Sequence, residues 1–185
     1  MIEIRPLAKF DAARFRQVAS GYTTNEIYRV GYQEDETQTV FSLTLEPLPE
    51  PKVFQFPYSE DELDHYEQMV PGRFCFGAYH HNLLVGVALA EPQEWNKTLW
   101  VWEFHVAETH RGMGIGRSLM EQLAAPAKGA GLRALICETQ NTNVPAIRFY
   151  RAVGYQLEGV DISYYTNEDM QPGRTVAVFM KRRLT

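Results

Sequence analysis

The sequence predicts a mixed α/β fold, a sheet with helices on its faces. Strand-like runs outnumber helical ones early in the chain, and a β-loop-α-β-α-β order follows. The glycine-rich stretch Arg111-Gly112-Met113-Gly114-Ile115-Gly116-Arg117-Ser118 joins an apolar strand to a helix and organises the second half.

Taken in order, Ile2, Ile4 and Leu7 suggest a first strand closed by Pro6. Residues 11–19 have helical spacing, with Phe15 and Val18 apolar. Residues 21–36 show a poor pattern, with Tyr22, Tyr28 and Tyr32 as the large residues. Residues 37–45 are rich in threonine and β-branched residues and read as a strand. Residues 46–58 carry Pro47, Pro49, Pro51 and Pro57 and read as an extended connection. Ser59 followed by Glu60, Asp61 and Glu62 opens a helix that ends near Pro71 and Gly72. Residues 73–79 and 83–89 are strands joined by a hairpin turn at His80-His81-Asn82.

Residues 99–106 are nearly continuous in apolar side chains and predict a central, buried strand. The helix after the glycine turn should end or kink at Pro126, which has no N–H to give inside a helix. A loop at residues 128–131 leads to a strand over 132–137. Thr142 or Asn143 then caps a helix with Pro145 in its first turn. Ala146, Phe149, Tyr150 and Val153 share one face of that helix, and Gly154 ends it. Residues 155–165 and 175–180 are the last extended segments.

With 185 residues the chain reads as one domain over 1–185. Its net charge of -5 argues against nucleic acid as the main partner and favours a small cationic or amine substrate. Cys75 and Cys137 both lie in apolar runs and read as reduced, buried thiols of a cytoplasmic protein. No stretch approaches a membrane span, and the first residues lack a signal-peptide core. His80 and His81 have no Cys or Asp partner nearby and read as solvated turn residues, so no metal is expected.

The glycine stretch carries the chemistry. Glycines at alternate positions let the backbone turn sharply and approach a ligand. The turn feeds a helix start, where unpaired N–H groups favour an anion. Arg111 and Arg117 add fixed positive charge beside it. Together these features describe a cradle for a pyrophosphate. A Rossmann fingerprint fails, because Arg117 or Leu119 stands where its third glycine belongs. A Walker A loop fails at Arg111 and at Arg117. The pattern [Gln/Arg]-x-x-Gly-x-[Gly/Ala] is matched in full by Arg111, Gly114 and Gly116.

That pattern resembles the coenzyme A loop of the GNAT superfamily of N-acetyltransferases. A second run, residues 141–155, resembles the later motif of the same family at Asn143, Ala146, Tyr150, Gly154 and Tyr155. The resemblance implies a GNAT-like α/β fold, a mixed and mostly antiparallel central sheet flanked by helices. It implies acetyl-CoA (acetyl-coenzyme A) as cosubstrate and no metal. It sets the pantetheine arm beside Phe104, His105 and Val106. The pyrophosphate falls to Arg111, Gly112, Met113, Gly114, Ile115, Gly116, Arg117 and Ser118. Asn143 would touch the coenzyme through its amide, and Tyr150 would protonate the departing thiolate.

Glu103 is the candidate base on its own chemistry. It interrupts an apolar strand, where a carboxylate is costly unless paired or lining a polar cleft. A structural ion pair and an exposed sheet face remain open as alternatives. His105 lies on the same strand face and either replaces Glu103 or orients it.

A closer resemblance is to the streptothricin acetyltransferase branch of the superfamily, over residues 74–165. It rests on Glu94-Trp95-Asn96 with Trp102-Glu103, on the run from Glu138 to Asn143, and on Gly159, Asp161 and Tyr164. It implies a primary amine on a small cationic acceptor, and so antibiotic resistance, with Glu94, Glu103 and Asp161 as candidates to draw the cation. A protein lysine or N-terminal acetyltransferase and a non-catalytic acyl-CoA binding module stay open beside it, as does a homodimer.

Overall fold

In the computed structural model, which describes residues 1–184, the chain runs β1 (Ile2–Pro6), α1 (Ala12–Val18), β2 (Tyr22–Glu34), β3 (Thr39–Phe54), α2 (Glu60–Met69), β4 (Cys75–His80), β5 (Leu83–Gln93) and β6 (Thr98–Val106). A 3-10 turn at Glu108–His110 leads to α3 (Ile115–Gly129), β7 (Ala134–Gln140), α4 (Val144–Ala152), β8 (Gln156–Asp161) and β9 (Ala177–Arg183). The fold is mixed α/β with mostly antiparallel strands, as the sequence predicts. The described residues divide into two compact units.

The first unit holds residues 1–21, 55–137 and 182–184. Its strands β1, β4, β5 and β6 are successively antiparallel, and β7 joins β6 in parallel. The β4–β5 hairpin turns through His81 and Asn82 at φ 49 and 64, the double positive φ of a tight two-residue turn. Alternation along β5 sends side chains to both faces. Gly86 faces Leu119 of α3, while Val87 and Leu89 join Phe15, Leu63, Tyr66 and Met69 from α1 and α2. Helices therefore cover both faces of β5. Helix α1 is capped by the Asp11 side chain on Arg14 N, and α2 by a reciprocal box between Ser59 and Glu62.

The second unit holds residues 22–54 and 138–181. It contains a long two-stranded ribbon, β2 with β3, the antiparallel pair β8–β9, and α4. Asn143 is the N-cap of α4, with Oδ1 accepting from Ala146 N at 3.2 Å, and Pro145 sits in the first turn. Gly154 follows the helix at φ 92.

Three local expectations are revised. Residues 22–34 are a continuous strand, because Tyr28, Val30 and Tyr32 do alternate once a register shift between Thr24 and Glu26 is allowed for. Strand β3 continues through Pro47, Pro49 and Pro51, where a connection was expected; β2 lies on one edge only, and proline is tolerated at an open edge. Helix α3 does not end at Pro126 but runs on to Gly129, its last turn closed by Ala130 N on Pro126 O at 3.0 Å. Cys75 and Cys137 are buried free thiols. No helix among the described residues is long and apolar enough to cross a membrane.

Candidate active site

Strand β6 builds the chemical end of the first unit. It pairs with β7 only from Thr98 to Val101, and with β5 along its whole length. A register shift between Leu89 and Ala90 falls opposite Trp102 and re-aims the strand just before Glu103. Past Val101 the β7-facing edge has no strand partner in this unit, so Glu103, Phe104, His105 and Val106 lie where an extended ligand can run beside the backbone.

Glu103 and His105 project to the same face, as their spacing requires. Their side chains are 11% and 15% exposed, and Nε2 of His105 lies 2.5 Å from Oε2 of Glu103. Two phenols complete the cluster. Tyr58 donates to Glu103 Oε2 at 2.9 Å and stands 3.1 Å from His105 Nε2. Tyr66 donates to Glu103 Oε1 at 2.5 Å. With an ionised carboxylate, the hydrogen between His105 and Glu103 belongs to Nε2, which leaves Nδ1 as the acceptor of a neutral ring.

Rings pack around the cluster and shield one side of it. Phe15, itself 1% exposed, packs on Tyr58, Tyr66 and His105 with centroids 4.9, 5.6 and 6.0 Å away. Phe56 meets His105 at 5.3 Å. Burial first, then the charge of Glu103, raises both phenols above the ordinary tyrosine value, so both keep their protons as donors.

The sequence reading missed Tyr58 and Tyr66. Tyr66 shares an apolar helix face with Leu63 and Met69 and looks like core. Tyr58 stands between a proline and a helix cap. No local pattern ties either residue to Glu103.

The glycine turn has the geometry an anion needs. Gly112 and Gly114 sit at φ 78 and 80, a region that side chains disfavour, and a Cβ built on either meets nothing within 4 Å. Gly114 is the N-cap of α3, and no side chain caps this helix. An open backbone cradle at the head of a 15-residue helix fits a diphosphate. Ile115 is buried beneath it, while Met113 is 58% exposed. Arg111 is used differently from a simple phosphate clamp. Its Nε donates to Val106 O at 3.1 Å and its Nη2 to Gly21 O at 2.9 Å. The guanidinium thus ties the cradle to the end of β6.

Asn143 and Tyr150 are both placed by α4 in the second unit. The amide oxygen of Asn143 is committed to the helix cap, so its NH2 end is the part that can face a ligand. Tyr150 is 6% exposed, with the rings of Phe149 and Tyr155 at 5.5 and 5.3 Å. Much of the run from Glu138 to Asn143 is engaged within the same unit. Asn141 bonds the backbone of Tyr28 and Val176, and Tyr165 donates to Glu138. Of the other acidic candidates, Glu94 pairs with Lys97 at 2.6 Å on the surface, and Asp161 accepts from Ser163 N at 3.0 Å.

Comparison with known proteins agrees with this geometry. Residues 37–155 match the family model described as Acetyltransferase (GNAT) family. A streptothricin acetyltransferase of Streptomyces lavendulae is 31% identical over 166 residues, which cover 88% of this chain and 86% of that protein. The crystal structure of nourseothricin acetyltransferase superposes with a TM-score of 0.77 at 27% identity, over 100% of this chain and 99% of the other. A Bacillus anthracis str. Ames structure in complex with acetyl coenzyme A superposes at 0.74 over 99% of each chain; at 20% identity it speaks for the fold. The chain belongs to the acetyltransferase (GNAT) family, and it is an acetyltransferase.

Proposed function

We propose that the chain is an acetyl-coenzyme A-dependent N-acetyltransferase whose acceptor is a primary amine on a small cationic molecule of the streptothricin kind. Acetyl-coenzyme A supplies the activated acyl group. The backbone from Gly112 to Ser118 holds its diphosphate, and the open edge of Glu103 to Val106 takes its pantetheine arm.

The observation that carries the reading is the half-buried carboxylate of Glu103 with three donors converging on it. An ammonium has no lone pair and must lose a proton before it can attack. A carboxylate offers about four acceptor positions, so three donors leave one for the acceptor's N–H. Glu103 takes that proton, with His105 beside it to share the charge. Phe15, Phe56, Tyr58 and Tyr66 supply low-dielectric walls and ring faces suited to a cation. Tyr150 gives its phenolic proton to the coenzyme sulfur as the carbon–sulfur bond breaks and the carbon–nitrogen bond forms; the second proton shed by the acylated nitrogen restores the phenol, and the proton taken by Glu103 passes to solvent. The relatedness to streptothricin acetyltransferases supports the acceptor class.

The test is thiol release from acetyl-coenzyme A in the presence of streptothricin, of simple diamines and of lysine peptides, with the products read by mass spectrometry. The reading expects turnover with streptothricin and a single added acetyl on its amine. Turnover with peptides alone would overturn the acceptor class. Coenzyme binding without turnover on any amine would overturn the enzymatic reading.

A further inference from the structure

Among the described residues, no strand pairs with the outer edge of β3. Strand β3 belongs to a two-stranded sheet whose other member is β2, and such a ribbon is marginally stable by itself in water. The ribbon is two-faced. Tyr28 opposite Leu45, Val30 opposite Leu43 and Tyr32 opposite Phe41 make an apolar face. Arg29 opposite Thr44, Gly31 opposite Ser42 and Gln33 opposite Val40 make the other. On the apolar face Tyr32 is 39% exposed, Phe41 44% and Leu45 38%.

The direction of the backbone groups can be read from Tyr28. Its N–H donates to Asn141 O at 3.0 Å, and its carbonyl accepts from Asn141 Nδ2 at 2.7 Å. Both groups therefore point away from β3, and Tyr28–Leu45 is a non-hydrogen-bonded pair. Leu45 must then turn its own N–H and C=O to the outer edge. Alternation gives Leu43, Phe41 and Thr39 the same direction. The next residue in that row is Pro47, which has no N–H, and Pro49 and Pro51 follow. Prolines block edge pairing over the lower half of β3. The upper half, Thr39-Val40-Phe41-Ser42-Leu43-Thr44-Leu45, has no such guard.

We infer that two copies of this chain associate through this segment, β3 against β3 of the second copy, antiparallel about a two-fold axis at Ser42. The segment is self-complementary in that register. Phe41 falls opposite Leu43 of the second copy, and Thr39 opposite Leu45, so outward N–H and C=O groups meet in hydrogen-bonded pairs and apolar side chains lie beside apolar side chains. Charge selects the same partner. The segment contains no ionisable residue, whereas the chain as a whole carries -5. Two acidic copies can meet here without like charges in register, and a charged peptide would find no counter-charge. The two-fold relation also closes the assembly at two.

The test uses the full chain. Ser42 pairs with itself across the axis in a non-hydrogen-bonded position, where Cα atoms stand about 4.5 Å apart, within disulfide reach. Ser42→Cys should therefore cross-link between chains under mild oxidation. Cys75 and Cys137 are 0% and 1% exposed and do not compete. Val53→Cys, at a site 71% exposed on the guarded half, is the control and should stay uncross-linked. Light scattering should give twice the chain mass for the wild type at tens of micromolar. Phe41→Glu should give one chain mass with an unchanged circular-dichroism spectrum. A monomeric wild type, a dimer that survives Phe41→Glu, or cross-linking of Ser42→Cys no faster than of Val53→Cys would each overturn the inference. None of these readouts depends on turnover, so they stand apart from the proposed function.

Discussion

His105 and Glu103, two residues apart on β6, meet with Nε2 2.5 Å from Oε2, and Tyr58 reaches both. A strand cannot avoid placing i and i+2 on one face. Three further donors or rings from α1, α2 and the segment before α2 turn that local consequence into a site. The carboxylate is oriented by the hydroxyls of Tyr58 and Tyr66, which burial and the Glu103 charge keep protonated.

Tyr58→Phe keeps the ring against Phe15 and removes one donor from the cluster. We expect folding to be retained and kcat to fall about tenfold, the size of effect one lost hydrogen bond to a charged group gives. The loss should fall on kcat and leave coenzyme affinity in place, because the missing donor acts on the carboxylate that takes the acceptor's proton. A purely structural tyrosine would lower thermal stability and leave kcat in place.

Stability should also report the phenols. Tyr58 and Tyr66 titrate above the ordinary value of 10.0 in the folded chain, through burial and the nearby Glu103 charge. The folded state then binds these protons more tightly than the unfolded state. The contribution is complete below about pH 10 and declines as pH rises past it, since the unfolded phenols ionise first. Melting temperature measured between pH 8 and 11 should fall more steeply above pH 10 in the wild type than in Tyr58→Phe/Tyr66→Phe. Parallel curves would count against burial of these two hydroxyls.

Gly114→Ala tests the cradle. A Cβ at φ 80 costs about 1–2 kcal/mol in backbone conformation, though nothing in the protein stands within 4 Å of it. The methyl would occupy the open space before α3. Calorimetric titration should show affinity for coenzyme A reduced about tenfold or more, with the fold intact. Unchanged affinity would place the diphosphate elsewhere.

Tyr150→Phe preserves the ring packing on Phe149 and Tyr155. As the donor to the departing sulfur, its loss should cut kcat about 100-fold while coenzyme affinity holds. The loss should shrink with acyl donors whose thiol is more acidic, because a better leaving group needs less protonation. A uniform loss across donors would mark the tyrosine as structural.

Much of this was legible in the sequence. Helix ends were readable because caps are local chemistry: Ser59, Asn143 and Gly154 each sit where a side chain or a missing one decides the backbone. The turn before α3 was readable because glycine spacing constrains conformation directly. Glu103 stood out because a carboxylate in an apolar run demands partners. The partners themselves were not readable. Tyr58 and Tyr66 reach Glu103 from 45 and 37 residues away, and neither breaks a local pattern. The β2–β3 ribbon was half hidden for two reasons. A register shift interrupts the alternation in β2, and prolines in β3 mark an edge strand as readily as a loop. Helix α3 passing through Pro126 shows burial of Leu123 and Ala127 outweighing one lost backbone bond.

The most direct test is a single-turnover comparison of wild type and Glu103→Gln, each saturated with acetyl-coenzyme A and mixed with streptothricin. Glutamine keeps the size of the side chain and cannot take the ammonium proton. The account predicts coenzyme affinity within about twofold of wild type by calorimetry and acetyl transfer slowed about 100- to 10,000-fold, with part of the rate recovered at high pH as more of the acceptor becomes neutral. Transfer at the wild-type rate by Glu103→Gln at neutral pH would contradict it.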